Sequence, residues 1–356
     1  MESGMNTRTT FGLMLFASLV LPSGSSADPV ADFYKGKAIT LQVGAGVGSG
    51  YDVYARSIAR YWPKHIPGNP KFIIQNVLGA GGVVMLNNLA HKASPDGTVM
   101  GAAVAASIID PVAGSTAVRY DPRKLVWIGN MTSTYTACFV RKDSPVKTFE
   151  DLKKIETTVA ATSINSSGAV LSYAFNELIG TKFRVIMGYK SPPDMMLAVE
   201  RGEVDGICLA YATMMASSPT AIEQQKVTWL TVVNDKPIAD LPGVPPVSQF
   251  IQSEEGRQIL GLLVARNVIG RPFAFPEGVP ADRAQAVRKA FMDTMKDPEF
   301  VAEARKLKLE IEPMDHTQIE AMVKGAYDTP AAVVQKAYAM MRGAEAAGAK
   351  SQPVKK

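Results

Sequence analysis

The sequence predicts an α/β protein with two lobes, and three observations lead to this fold class. Segments with the apolar pattern of strands alternate with segments whose apolar residues recur at helical spacing along most of the chain. The length of 356 residues exceeds what one hydrophobic core usually organises. A glycine-rich turn joins a strand to a helix near the start of the chain, an arrangement that favours anion binding.

The first residues have the pattern of an export signal. Arg8 precedes an apolar run over residues 11–22, and Ser25 and Ala27 occupy the positions that a signal peptidase reads. The run is too short to span a bilayer, and no later segment reaches the roughly 20 apolar residues of a spanning helix. We therefore predict a signal peptide over residues 1–27 and a soluble mature chain of 356 − 27 = 329 residues.

The first half of the mature chain is predicted to alternate strand and helix. Three strands are expected, and each is followed by a helix or a loop. They are strand 38–43 before a helix from Asp52, strand 72–77 before a helix over 83–91, and strand 98–104 before a loop through Asp110 and Pro111.

The second half continues the alternation and then becomes richer in helix. The predicted elements are a short strand near Val159, a helix with Leu171, Ala174, Phe175 and Leu178 on one face, strand 183–189, helix 191–201, strand 227–233, a turn-rich connection over 237–247, strand 262–269, and two helices with apolar stripes over 284–295 and 300–307. Gly180 and Gly202 stand where helices usually end. Residues 343–356 lack periodicity and are predicted to be a disordered tail.

The turn after the first strand predicts an anion site. Residues 41–56 read LQVGAGVGSGYDVYAR, so the backbone amides of a glycine loop and the start of a helix face the same place. A dinucleotide fingerprint fails because Ser49 or Tyr51 stands where its third glycine belongs, and the lysine of a P-loop is missing. We therefore favour a carboxylate over a phosphate. The candidate ligand-binding residues are Gly48, Ser49, Gly50, Tyr51 and Asp52, with capping of the helix as the alternative role of Asp52.

Five segments occur in one order that resembles the Bug (TctC-like) family, the periplasmic solute-binding proteins of tripartite tricarboxylate transporters. They are GSGYDVYAR at 48–56, NVLGAGG at 76–82, SPDG at 94–97, GYKSPPDMMLAVERGEVDG at 188–206 and LPGVPPV at 241–247. The resemblance covers nearly all of the mature chain. It departs at Ala45 and Leu78, where the family commonly has proline, and at Ser191, where a glycine is usual.

The resemblance implies a type II periplasmic-binding-protein fold, in which two α/β lobes joined by crossing strands close over a ligand in the cleft between them. Residues 28–135 and 240–342 would form lobe 1, residues 136–239 lobe 2, and residues 343–356 the tail. It further implies that loop amides and ordered water hold a ligand carboxylate, often without an arginine. The departures leave the identity of the carboxylate open.

Three further loops supply candidate ligand contacts. On the second lobe the family places a contact loop before a helix, and here ATSINSSGAV at 161–170 offers hydroxyl and amide donors, although a serine there is also a natural helix cap. Ser107 follows a strand of the first lobe, where α/β ligands bind. Arg266 and Arg271 could act as counter-ions or pair with acidic side chains, and we leave them outside the candidate set. The third loop joins strand 183–189 to helix 191–201. The added candidates are Ser107, then Ser163, Asn165, Ser166, Ser167 and Gly168 of the 161–170 loop, and Tyr189, Lys190 and Ser191 of the third loop.

Composition and motifs argue against several other classes. The net charge is +5, but lysine and arginine are scattered, so we expect no nucleic-acid partner. The three histidines form no metal-ligand spacing, and no GxSxG elbow is present, so we expect no catalytic residue, metal or cofactor. Cys138 and Cys208 could oxidise after export, but their spacing does not show whether they meet.

We therefore predict a periplasmic, monomeric solute-binding protein that captures a small carboxylate, either a dicarboxylate or an aromatic one, for membrane permease subunits. One alternative is a ligand-binding component that docks on a membrane sensor kinase. A periplasmic hydrolase is the third possibility.

Overall fold

The computed structural model describes residue 1 and residues 28–133, 135–164, 166–217, 226–234, 237–238 and 240–348. The predicted signal peptide, apart from residue 1, lies outside the described residues. Within the described part of the chain, no helix is both long and apolar enough to cross a membrane.

The strands of the described chain form two separate sheets. In chain order they are β1 (Ala38–Val43), β2 (Lys71–Asn76), β3 (Val99–Ala102), β4 (Val126–Asn130), β5 (Thr136–Arg141), β6 (Thr157–Ala161), β7 (Phe183–Met187), β8 (Gly206–Ala210), β9 (Val227–Val233), β10 (Pro272–Phe275) and β11 (Met314–Asp315).

The helices cover the two sheets. They are α1 (Pro29–Tyr34), α2 (Gly50–Ala59), α3 (Val83–Lys92), α4 (Ala105–Ile109), α5 (Ser167–Ile179), α6 (Pro192–Glu200), α7 (Tyr211–Ser217), α8 (Glu254–Val268), α9 (Ala281–Thr294), α10 (Pro298–Lys306), α11 (His316–Asp328) and α12 (Ala331–Gly348). Short 3-10 helices span Trp62–His65, Ala80–Gly82, Asp110–Ala113, Pro122–Lys124, Phe149–Lys153 and Val247–Phe250.

Each sheet is mixed and draws its strands from a different part of the chain. The first sheet has the order β11-β4-β10-β3-β1-β2, with β1 parallel to its neighbours and β10 antiparallel to both β3 and β4. The second has the order β7-β6-β8-β5-β9, with β6 parallel to β7 and β8. We call each sheet with its helices the first and the second lobe. The exact residue boundaries given above for the lobes stay a prediction.

The two lobes share part of their hydrophobic core. One buried cluster runs from Leu86 and Trp127 of the first lobe to Phe175 of the second, and it includes the apolar face of α8. The last helix, α12, packs on α5 and α8 and buries Val334 and Ala337 in the same cluster. A second cluster, confined to the first lobe, is built around Trp62, which contacts the rings of Phe72, Phe273 and Phe291.

The two cysteines meet across the second sheet. Cys138 of β5 lies directly opposite Cys208 of β8 in the antiparallel register, and their sulfur atoms are bonded. The sequence separation is 70 residues, so this disulfide links distant parts of the second lobe.

Two predicted elements are wrong. Residues 262–269, predicted as a strand, belong to helix α8, because a short apolar run fits a buried helix as well as a strand. The residues before this run indicate the start of a helix. Ser253 caps α8, and Glu254 and Glu255 occupy its first turn. The loop predicted through Asp110 and Pro111 is helical, because Ile108 and Ile109 of α4 pack in the core and the 3-10 helix Asp110–Ala113 follows directly. Helix α12 extends to Gly348, into the predicted tail of residues 343–356, and the disorder of this tail stays a prediction. Residues 349–356 lie outside the described residues.

Candidate ligand-binding cleft

A cleft of about 480 Å³ lies between the two lobes. Its first-lobe wall consists of Tyr51, Ala105, Gly270 and Arg271. The second-lobe wall is longer and consists of Thr136, Ala160, Ala161, Thr162, Ser166, Ser167, Gly168, Pro192, Met195, Cys208, Leu209 and Ala210. Most second-lobe residues come from the carboxyl ends of β6 and β8 and from the first turns of the helices beside them, which is where ligands bind in open α/β sheets. Thr136 begins β5 and lies opposite Ala210 at the end of β8.

The start of α5 forms the polar part of the second-lobe wall. Ser166 is the N-cap residue, but its hydroxyl donates to the carbonyl oxygen of Ser163 at 2.7 Å and accepts no bond from the first turn. Gly168 follows, and a Cβ there would lie 2.1 Å from the carbonyl oxygen of Cys208. Only glycine therefore lets the helix start approach β8 so closely, and the positive end of the α5 dipole faces the cleft.

The glycine loop of the first lobe is held by Asp52. Ser49, not Asp52, is the N-cap of α2 and accepts from the backbone N–H of Asp52 at 3.3 Å. The Asp52 carboxylate is 1% exposed and accepts from the Gly48 N–H at 2.8 Å, from Asn76 Nδ2 at 2.9 Å and from Arg56 Nε at 2.9 Å. Burial by itself raises the pKa of Asp52, but these hydrogen bonds outweigh it and hold the pKa at about 2.

Tyr51 connects three parts of the first-lobe wall. Its hydroxyl accepts from the backbone N–H of Ala105, the first residue of α4, at 3.2 Å. The guanidinium carbon of Arg271 lies 4.3 Å from the centre of its ring. A side chain that we predicted from the glycine loop thus orders both the next helix and a distant arginine.

The structure brings four predicted residues into the cleft wall, namely Tyr51, Ser166, Ser167 and Gly168. The residues Gly48, Ser49, Gly50, Asp52, Ser107, Ser163, Tyr189, Lys190 and Ser191 are described but do not line this cleft. Asn165 lies outside the described residues.

Two of these predicted residues have clear structural roles. The Ser107 hydroxyl donates to the carbonyl oxygen of Val104 at 2.7 Å, and the Ser107 side chain is buried. Ser191 caps α6 by accepting from the backbone N–H of Asp194 at 3.4 Å. The residue after it, Pro192, is the one that lines the cleft.

Sequence reasoning missed most of the remaining wall. Thr136 and Thr162 add hydroxyls, and Met195 and Leu209 add apolar surface. Strand β8 follows directly after the RGEVDG turn that ends α6. The alternation of helix and strand therefore predicts a strand after this turn, with Leu209 near its carboxyl end. Arg271 was considered from the sequence and left out.

A second pocket, of about 560 Å³, lies on the outer side of the second lobe. Its charged lining is mixed and includes Arg141, Lys142, Asp143 and Arg201. It lies at the carboxyl end of α6, where the helix dipole opposes an anion, and at the edge of the sheet opposite the carboxyl end of β8. We therefore take the interlobe cleft as the candidate site.

Comparison with known proteins agrees with this architecture. The family model described as tripartite tricarboxylate transporter family receptor matches residues 55–338. The structure of a TctC solute-binding protein from Polaromonas is 19% identical, with a TM-score of 0.68, and the alignment covers 85% of this chain and 99% of that chain. A structure of a periplasmic transporter is 21% identical, with a TM-score of 0.52 and coverage of 85% and 98%. At these identities the likeness shows the fold, and the predicted fold class is confirmed. No curated protein sequence matches the chain.

Proposed function

The chain belongs to the tripartite tricarboxylate transporter receptor family, and from this we propose that it is a periplasmic solute-binding protein that captures a small carboxylate for membrane permease subunits. The composition of the interlobe cleft supports this function most directly. Among the described residues that line the cleft, Arg271 is the one charged side chain, and none is acidic. Hydroxyl groups and the start of α5 provide further donors for an anion.

The ligand that we propose is a dicarboxylate or an aromatic carboxylate. The cleft volume of about 480 Å³ falls within the range of small-molecule pockets, about 300–1,000 Å³. Ala160, Ala161, Met195 and Leu209 present an apolar surface on the second-lobe side. An organic acid with an apolar body can place its carboxylate against the donors and its body against these side chains.

Closure of the two lobes is the mechanism that we propose for capture and delivery. Both lobes contribute to the cleft wall, so a ligand that touches Arg271 on one side and the α5 start on the other binds the closed form more tightly than an open one. Such differential contacts shift the open and closed populations. A permease that recognises the closed form would then receive only loaded protein.

Two features support export to the periplasm. The first residues have the pattern of a signal peptide. The bond between Cys138 and Cys208 is of a kind that persists in oxidising compartments and is rare in the cytosol.

A thermal-shift screen of the chain from residue 28 onward tests this function. The protein is first unfolded and refolded to remove any bound ligand, and then titrated with aliphatic dicarboxylates, aromatic carboxylates, amino acids and phosphate. A ligand that binds only the folded state stabilises it by about 2.7 kcal/mol at 100 times its Kd, so the melting temperature must rise with concentration. We expect this rise for one carboxylate class. A rise with amino acids or phosphate alone, or with none of the compounds, contradicts the proposed function.

A further inference from the structure

We propose that Arg271 is the residue that binds a carboxylate of the ligand on the first-lobe side and thereby makes the charged acid bind more tightly than its uncharged amide, an inference that rests on the proposed function. The evidence is of three kinds. The backbone of Arg271 is fixed, its guanidinium is held by aromatic rings, and its charge has no contacting counter-ion in the described chain.

The backbone of Arg271 is anchored where the chain passes between the lobes. Its N–H donates to Asn130 Oδ1 at 2.6 Å, and its carbonyl oxygen accepts from the Met131 N–H at 3.1 Å. The preceding residue, Gly270, donates to the carbonyl oxygen of Thr132 at 3.2 Å. Residues 130–132 end β4 and lead toward β5 of the second lobe, so Arg271 lies at the crossing itself.

The guanidinium is held by two rings of α2. Its carbon lies 4.3 Å from the ring centre of Tyr51 and 5.0 Å from that of Tyr54. Cation–π contacts of this kind position a guanidinium without using its N–H groups. Tyr54 is in turn fixed, because its hydroxyl donates to the carbonyl oxygen of Glu310 at 3.1 Å and accepts from the Glu310 N–H at 3.0 Å.

Most N–H groups of Arg271 have no hydrogen-bond partner within the described chain. Nη1 donates to the carbonyl oxygen of Gly270 at 2.7 Å, while Nε is buried and has no hydrogen-bond partner. Nε and Nη2 form the side of the guanidinium that matches the two oxygens of a carboxylate. Because Nε is buried, a ligand carboxylate in the cleft would pair with the terminal nitrogens, and it would reach Nε only if the side chain turned toward the cleft.

The charge of Arg271 is not cancelled by contact. Within the described chain no carboxylate forms an ion pair with it, in contrast to Arg56, which pairs with Asp52, and Arg288, which pairs with Glu320. Glu310 acts on Arg271 through space, but burial and the negative charges of Glu312 and Asp240 raise the pKa of Glu310 to about 7. Near neutral pH Glu310 is therefore only partly ionised.

The first test compares Arg271→Gln with wild type in isothermal titrations. The probes are succinate, glutarate and benzoate, each paired with its uncharged amide, and the matched control is Arg283→Gln. Arg283 also stacks on a ring, 3.4 Å from the centre of Phe33, and donates to the carbonyl oxygen of Asp96 at 2.8 Å, but it does not line the cleft. We expect Arg271→Gln to weaken binding of the acid by about 10- to 100-fold, the usual worth of a hydrogen bond to a charged group, and to leave binding of the amide unchanged.

The outcomes separate this inference from the proposed function. If wild type binds an acid and Arg271→Gln binds it equally well, the role of Arg271 is overturned and the binding function stands. If the variant loses acid and amide alike, Arg271 only supports the fold of the cleft, and the inference is again overturned. If wild type binds none of the acids, the proposed function fails first.

A second variant moves the guanidinium without removing it. A Cβ at Gly50 would lie 3.0 Å from Nη2 of Arg271, so Gly50→Ala must displace the end of this flexible side chain. Gly50 is the first residue of α2, where alanine favours the helix. We expect a protein at least as stable as wild type whose affinity for the acid falls several-fold. The control is Gly261→Ala in α8, where a Cβ meets nothing within 4 Å and affinity should not change. Wild-type affinity in Gly50→Ala contradicts the assigned position of the guanidinium.

Discussion

At the scale of single residues, the carboxylate of Asp52 decides the shape of the glycine loop. It accepts hydrogen bonds from the loop at Gly48, from strand β2 at Asn76 and from the next helical turn at Arg56. Gly48 has a φ of 77°, a conformation that glycine adopts without strain. The buried Asp52 carboxylate therefore fixes the loop, and Asp52 does not itself line the cleft.

We expect Asp52→Asn to lower the free energy of unfolding by about 2 kcal/mol at pH 7, since a pKa of about 2 against an ordinary value of 3.8 corresponds to that amount. The pKa of this acid is lowered in the folded state, so its contribution is present above pH 3.8 and is lost as the pH falls through about 2. Urea unfolding at pH 7 and near pH 2.5 measures both. The exposed Asp32 gives the control variant Asp32→Asn, which should change little. Equal stability of Asp52→Asn and wild type at pH 7 would show that the loop does not depend on this charge.

Glu310 gives the opposite pH dependence. Burial first, and then the charges of Glu312 and Asp240, raise its pKa from 4.5 to about 7, while Arg271 acts to lower it. The folded state therefore holds this proton more tightly, and the associated stability is present below pH 4.5 and is lost as the pH rises through about 7. Glu310→Gln should be more stable than wild type by about 1 kcal/mol at pH 8, after allowance for solvent screening, and equal to it near pH 4.5. Melting curves of both proteins between these two pH values test the difference. If the two melting temperatures change with pH in parallel, the prediction is wrong.

At this scale the sequence predicted some residues of the cleft wall and missed others for a physical reason. Tyr51 and Ser166 follow strand-to-helix junctions, and a junction can be recognised from local pattern alone. Arg271 could not be assigned in this way, because its orientation depends on the rings of Tyr51 and Tyr54, more than 200 residues earlier in the chain. Its lack of an ion-pair partner is likewise a tertiary property.

At the scale of elements, predictions held where an apolar pattern was long or bounded by glycine. Strand β1 coincides with the predicted residues 38–43, and α5 and α6 end beside Gly180 and Gly202 as expected. The prediction missed the short strands β4 and β8, and it assigned the apolar run inside α8 to a strand. A run of four to six apolar residues fits a strand or a buried helix equally well until its packing neighbours are known. The family prediction is confirmed by the match over residues 55–338.

The disulfide between β5 and β8 is expected to stabilise the second lobe. It closes a loop of 70 residues, and loss of this constraint in the chain-entropy model is worth roughly 4 kcal/mol, with measured disulfides typically giving about 2–4 kcal/mol. The double variant Cys138→Ala and Cys208→Ala should therefore melt at a lower temperature than wild type. Reductant should lower the melting temperature of wild type and leave the double variant unchanged. A wild-type melting curve that is insensitive to reductant after prolonged incubation would contradict the prediction.

At the scale of the whole molecule, two sheets are joined by one shared core. The cluster that contains Leu86 and Trp127 of the first lobe also contains Phe175 of the second, and α8 and α12 pack into it from the later part of the chain. A lobe that unfolds alone would expose the apolar faces of these helices to water. We therefore expect the two lobes to lose their structure together.

This coupling predicts a single unfolding transition seen equally by probes in either lobe. The chain has three tryptophans, and Trp229, on β9, belongs to the second lobe, where its ring contacts Phe139 and Tyr211. Trp229→Phe therefore leaves Trp62 and Trp127, both in the first lobe, as fluorescence reporters, while far-ultraviolet circular dichroism follows both lobes in the same sample. We expect the two midpoints to coincide. If the proposed carboxylate binds between the lobes, both midpoints should rise by the same amount when it is added, because such a ligand stabilises one cooperative unit. Separate midpoints, or a ligand shift confined to one probe, would show that the shared cluster of Leu86, Trp127 and Phe175 does not couple the clusters confined to each lobe.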